Sequence, residues 1–254
     1  MVSFKPDSTN KMIRIAGPAL LTVMLASCGS HPSSTHSALE VMLKEDAAYS
    51  ERLLNAEADS PDANLKEFDD FCDRSVELRT ERLIKIQALL ADSQADLKKT
   101  IIDHFNAENS LVRAKRRFYD SFFELKSLRA RKADLKRKAD ASAAMEKKYE
   151  VTDDDVENSL ERLETKLQFA EQTLSYMGEG IRLTSTVNAA AVKALDAGKS
   201  YTESLERALV TEKRLGDALG TLGVKIGTPI NASAKDVIAR ASATLQEIQG
   251  QRIK

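Results

Sequence analysis

The sequence predicts an all-α protein: an elongated antiparallel helical hairpin or coiled-coil bundle carried on a flexible N-terminal tether. Three observations lead there. Between Pro61 and Gly178 there is neither a proline nor a glycine, so the two strongest helix breakers are missing from over a hundred residues. Apolar residues inside that span recur every three or four positions, and no strand-like alternation of useful length occurs anywhere. Charged residues make up 30% of the chain and aromatic residues only 5%, with no Trp, a composition typical of long helices built from Leu, Ala, Glu, Lys and Arg. The formal net charge of −1 gives the whole chain no electrostatic pull toward nucleic acid, which is not expected as a partner.

The N-terminus reads as an address. Lys5, Lys11 and Arg14 oppose a single Asp7, and Met12 is an alternative start because Met12-Ile13-Arg14 already supplies a positive end. An apolar run from Ile15 to Ala26 follows, interrupted by Gly17, Pro18 and Thr22. It is too short to cross a bilayer as a mature helix and has the length of a signal-peptide core. The run closes with Leu25-Ala26-Ser27-Cys28, which resembles the lipobox of bacterial lipoproteins: an aliphatic residue, two small ones, then the cysteine that receives lipid. The resemblance implies a signal peptide over residues 1–27, cleavage between Ser27 and Cys28, a diacylglyceryl group on Cys28 and acylation of the new amino terminus. Membrane lipid is then a partner through Cys28. The expected location is the cell envelope, with Ser30 pointing to an outer membrane facing the periplasm or the cell surface. Two or more acyl chains hold firmly where one, at ~0.8 kcal/mol per buried methylene, binds reversibly. The other readings of this segment are an ordinary secretory signal or a short buried helix with an incidental cysteine.

Residues 28–37 are expected to form the lipidated cysteine and its tether, since Gly29 to Ser37 are small and polar with nothing to bury. Fully extended, the tether reaches roughly 30 Å. His31 and His36 lie in it and are expected to be solvated rather than bound to metal.

The helical domain is placed at 38–222, with a loop and a C-terminal amphipathic helix over 223–254. A first helix is expected from about Ala38 to Ala58. A second begins near Ala63 and either runs to Tyr149 or bends at Asn106 to Ser110. Its stripe holds Leu83, Ile86, Leu90, Leu97 and Ile101 with Gln94 as a polar interruption, then Phe118, Phe122, Leu125 and Leu135. Thr152 with Asp155 resembles a capping box that opens the next helix. There Val156, Leu160, Leu163, Leu167, Ala170, Leu174 and Met177 alternate in steps of four and three, a heptad seam. Gly178 and Gly180 are expected to kink or break it before a further helix carrying Val187, Leu195, Leu205, Ala208, Leu215, Leu219 and Leu222. Gly223, Gly227 and Pro229 mark a loop, and Ser233 is expected to cap the last helix, through Val237, Ala241, Leu245 and Ile248. A single amphipathic stripe of such length cannot stand alone in water, so the chain is expected to fold back near Tyr149 to Thr152.

Charge blocks favour that hairpin. Residues 113–148 carry thirteen Lys and Arg against five acids, whereas 149–164 carry seven acids against Arg162 alone. A fold near Val151 would lay Lys136, Arg137, Lys138, Lys147 and Lys148 beside Asp154, Asp155, Glu157, Glu161 and Glu164. The acidic stretch 38–81, thirteen acids against five bases, is available to cover more of the basic helix.

Candidate chemistry is sparse. The basic residues Arg113, Lys115, Arg116, Arg117, Arg129, Arg131 and Lys132 read either as a solvated helix face or as a contact for an anionic envelope surface. Cys72 falls on the stripe Leu65, Phe68, Cys72 and is expected to be buried, the alternative being a disulfide between two copies. Asp69, Asp70 and Asp73, like Asp153 to Asp155, lack the alternating ligands and central glycine of a calcium loop. His104 reads as isolated from any residue at metal-ligating spacing. With no phosphate loop, nucleophile elbow or zinc-type cysteine pair, neither enzymatic activity, a metal nor a cofactor is expected. The leading functional expectation is a membrane-anchored helical interaction or structural module with an unnamed protein partner in the envelope, as a single chain or a homo-oligomer. The competing one is a membrane-active protein in which Thr184 to Ala197 rearranges to insert.

Overall fold

The computed structural model describes residues 32–56, 65–90, 94–149 and 159–250. They form five helices: α1 (Pro32–Asn55), α2 (Leu65–Leu89), α3 (Ala95–Lys148), α4 (Ser159–Gly220) and α5 (Pro229–Gly250). The protein is all-α, and its frame is the hairpin of α3 and α4. Pairs across it step in opposite directions: His104 with Thr211, Phe118 with Tyr201, Glu124 with Lys193, Ser142 with Gln172 and Tyr149 with Phe169. The two helices are antiparallel. With 54 and 62 residues they are about 80 and 90 Å long at 1.5 Å per residue.

Helix α1 begins at Pro32, earlier than the expected Ala38, so residues 32–37 are helix rather than tether. Proline suits a helix's first turn, where its missing N–H would have no partner. The stripe from Leu39 and Leu43 through Asp46 and Ser50 to Leu53 and Leu54 is buried.

The long second helix is two helices. α2 ends at Leu89 and α3 starts at Ala95, close to the Gln94 that interrupts the stripe. The chain doubles back there, pairing Gln87 with Lys98, Arg79 with Glu108 and Asp73 with Arg116. This lets Ile86, Leu90, Leu97 and Ile101, spread along one rod in the sequence reading, share a single cluster with Leu39, Leu43, Phe105, Leu215 and Leu219. The bend expected at Asn106 to Ser110 is absent: α3 continues through it, with the Ser110 hydroxyl donating to the Asn106 carbonyl at 2.8 Å.

α4 is likewise continuous through Gly178 and Gly180. An interior glycine costs a helix roughly 1 kcal/mol relative to alanine, less than packing along α3 returns. A third glycine has a different role. A Cβ on Gly198 would sit 2.5 Å from Leu245 Cδ2 and 2.9 Å from Phe118 Cε2, so α3, α4 and α5 converge here because nothing projects. Around it Phe118, Ala194, Leu195, Tyr201, Leu205, Val237 and Ala241 make the largest core cluster. α4 ends in a Schellman turn, with Gly223 at φ 72° and the Val224 N–H bonded to the Leu219 carbonyl at 3.1 Å.

α5 starts at Pro229, so Ser233 is not its cap. The cap is supplied by a neighbour: the buried Glu212 carboxylate of α4 accepts the N–H groups of Ile230 at 3.0 Å and Asn231 at 2.8 Å. Burial raises the Glu212 carboxyl above the usual range, and those two bonds oppose the rise.

Helices α1, α2 and α5 pack around the start of α3 and the end of α4. Described contacts of the short helices along α3 reach as far as Arg129, which donates to the Ile248 carbonyl at 3.4 Å. Past that point α3 and the first part of α4 run on as a two-helix arm, about 30 Å long. No described helix is long and apolar enough to cross a membrane.

Candidate interaction surface

The arm has two faces with different chemistry. With Leu160 as position a of a heptad, α4 turns positions c and f toward α3: Phe169 stacks on Tyr149 at 5.8 Å, Gln172 accepts from Ser142 at 3.2 Å, and Glu179 pairs with Arg131. Positions a and d lie on the opposite side. Leu160, Leu163, Leu167, Leu174, Met177 and Ile181 occupy them and are 53–71% exposed. The heptad seam of the sequence is therefore not the seam that closes the hairpin. Its first residue, Val156, lies outside the described residues, as does the capping box of Thr152 and Asp155. Single exposed leucines are ordinary on a protein surface, but a row of them at coiled-coil spacing marks a contact site.

The register also alters the expected charge pairing. Lys136, Arg137 and Lys138 lie level with the neighbourhood of Met177 to Glu179, not with Glu161 or Glu164. Arg137 and Lys138 pair instead with Asp134 on their own helix, at 3.2 and 3.0 Å. Asp154, Asp155 and Glu157 lie outside the described residues. Ring and small-residue packing sets this register, because exposed ion pairs contribute only a few tenths of a kcal/mol each.

The seven basic residues proposed as one face are separated by the fold. Arg113 and Arg117 are exposed. Arg116 binds Asp69 at 2.8 Å and Asp73 at 2.7 Å on α2, and these carboxylates raise its pKa against a desolvation that lowers it. Arg129 is directed at the end of α5, Arg131 at Glu179, and Lys132 is half-buried. Lys115 leaves the face altogether: only 1% exposed, it donates to the carbonyls of Leu53, Leu54 and Ala56 and so caps α1. We expect Lys115→Met, which keeps the length and drops the ammonium, to destabilise the chain by about 3 kcal/mol in urea titrations. A loss below about 1 kcal/mol would mean that water satisfies those carbonyls.

The body beneath the arm is fastened by a buried ionic network that the sequence reading did not find. Arg79 Nε lies 3.1 Å from both Asp46 and Glu108, and its Nη2 donates to Ser50 at 2.8 Å. Ser50 donates in turn to Glu108, while Arg82 reaches Asp46 at 2.9 Å and Glu45 at 3.2 Å. His104 is not isolated: Glu108 stands one turn on, 3.5 Å from its Nε2, and Thr211 Oγ1 lies 3.3 Å from its Nδ1. The network joins α1, α2, α3 and α4. Desolvation, helped by the nearby Glu108, pushes Asp46 up to about 7, and desolvation pushes His104 down to about 4. The signal available in the sequence was charge at stripe positions, since Asp46 and Ser50 continue Leu39 and Leu43.

Cys72 is buried beside Leu53 and Val112, and burial pushes its thiol up to about 12. That makes it an inert core residue rather than a ready disulfide partner. Among the described residues no three His, Cys, Asp or Glu side chains converge as a metal site. Within Thr184 to Ala197, the side chains of Ala190, Ala191, Ala194 and Leu195 are buried in the core. Ser27 and Cys28 lie outside the described residues. The chain matches no protein-family model, no curated protein and no solved structure.

Proposed function

We propose that this chain is a lipid-anchored envelope protein whose helical body is an interaction module and whose α3–α4 arm is its docking element. The observation that carries this reading is the bare heptad row on α4: six bulky apolar side chains at coiled-coil spacing, Leu174, Met177 and Ile181 beside α3 and Leu160, Leu163 and Leu167 past its last described residue, Tyr149. The Leu25-Ala26-Ser27-Cys28 pattern behind a positive, apolar leader supplies the anchor. A base held on lipid, a body fastened by a buried ionic network and an arm projecting from it suit a protein that presents a contact surface at a distance from a membrane.

Two measurements test the two halves. Palmitate is expected to label the parent chain and not Cys28→Ser, and the variant is expected to leave the membrane fraction; unlabelled parent protein refutes the anchor. A photo-crosslinking residue at Leu167 is expected to capture protein in intact cells where one at exposed Arg113 does not. Equal capture at both sites removes the arm as the docking element.

A further inference from the structure

The geometry points to a second copy of this chain as the occupant of the α4 seam, the two arms joining in a parallel, in-register coiled coil. This rests on the reading of the arm as a docking element, but not on the lipid anchor.

Spacing comes first. Leu160, Leu167, Leu174 and Ile181 fall at a, and Leu163, Ala170 and Met177 at d, over three heptads without a slip. So narrow a seam is what a partner helix covers; a helix lying in a lipid surface shows a broader apolar face with Lys and Arg along its edges. Here the flanking e and g positions carry Glu164 and Glu171 against Lys166, not the basic edges that hold a helix on an anionic lipid surface.

The flanking charges then select the partner and its direction. Lys166 is at g and Glu171 at e of the next heptad, and neither has an ion-pair partner among the described residues. In a parallel, in-register pair each g faces the following e of the other helix, so Lys166 meets Glu171 of the second copy twice, once on each side of a two-fold axis. In an antiparallel pair e faces e, setting Glu164 against Glu171. Because α3 lies against positions c and f, it remains on the outside of such a dimer and obstructs nothing.

Two glycines supply a separate argument. Gly178 and Gly180 sit inside α4 at e and g, and a Cβ on either would meet nothing within 4 Å. No contact among the described residues requires them, although each weakens the helix. They flank Met177 and Ile181, where the absence of side chains lets a second helix come close.

Sedimentation equilibrium of the full chain in density-matched detergent tests the proposal. The parent is expected to be a dimer at micromolar concentration. Leu167→Glu/Leu174→Glu is expected to be monomeric with unchanged helicity, because both side chains already face solvent in the single chain. Glu171→Lys, a surface change that cannot unfold the protein, is expected to weaken the dimer about tenfold by opposing Lys166. A monomeric parent overturns the proposal, whether the seam then takes a different protein or a membrane. So does a dimer that survives the double substitution, and so does tighter association of Glu171→Lys, the sign an antiparallel pair would give. Failure of palmitate labelling leaves each of these outcomes unaffected, so the anchor and the dimer fail separately.

Discussion

Arg79→Leu is expected to destabilise the chain by about 3–5 kcal/mol, the largest effect of any single substitution in the body. Arg79 is 1% exposed and stands between Asp46 and Glu108, both equally buried. Removing its guanidinium leaves the Glu108 carboxyl buried beside Asp46 without its cation, Arg82 remaining on Asp46 alone, and breaking a buried pair from one side carries a cost of that order. Ser50 also loses the donor that reaches it at 2.8 Å. Urea titrations of parent and variant check this. The same comparison separates the cost of an orphaned charge from the worth of the network. An apolar triple variant, Arg79→Leu with Asp46→Leu and Glu108→Leu, is expected to recover most of the loss, because well-packed apolar groups replace a buried ion pair at little net cost. Arg82→Ala is expected to cost less than Arg79→Leu, since Glu45 is 60% exposed and keeps its water, and buried Asp46 keeps Arg79. A loss under about 1 kcal/mol for Arg79→Leu would show that water reaches the network.

Such a network explains both what the sequence revealed and what it concealed. The absence of proline and glycine between Pro61 and Gly178, with the three-and-four spacing of apolar residues, was enough for an all-α hairpin. Spacing says that a stripe exists, however, not what covers it. α4 carries two stripes half a turn apart, and the one rich in leucine is bare. The one that meets α3 uses Phe169, Gln172 and Tyr176, too mixed in polarity to read as a core face. The break between α2 and α3 is marked in the sequence by the polar run Asp92-Ser93-Gln94, without the glycine or proline that usually signals a helix end. Buried charge was the other blind spot. Glu108 and Lys115 fall seven and fourteen residues after Ile101, on the apolar stripe itself, but their charge reads as solvated, and only the folded chain shows that Lys115 caps α1 and that Glu108 closes on Arg79. The continuity of α4 through Gly178 and Gly180 follows from the same limit: propensity is local, whereas the hairpin packs along the whole helix.

The opposed shifts of Asp46 and His104 give the chain a pH dependence that only variants will expose. In the folded chain Asp46 titrates at about 7, against 3.8 when free, and His104 at about 4, against 6.5. Between pH 4 and 6.5 the folded pair holds one proton, on Asp46; the unfolded pair also holds one, on His104. Equal proton counts mean no slope, so the pair leaves stability flat across that window. Removing either member uncovers the other. In Asp46→Asn only the depressed histidine remains, and its contribution, complete above pH 6.5, is lost as pH falls toward 4, by about 3 kcal/mol in all. In His104→Gln only the raised carboxyl remains. Its contribution, complete below pH 3.8, is lost as pH rises toward 7, by about 4 kcal/mol. The difference in unfolding free energy between parent and variant, measured by urea titration at several pH values, cancels the carboxylates common to both. It should slope one way for Asp46→Asn and the other for His104→Gln. Slopes of the same sign, or none in either variant, would mean that the two groups titrate near their ordinary values and that the network is wetter than its burial implies.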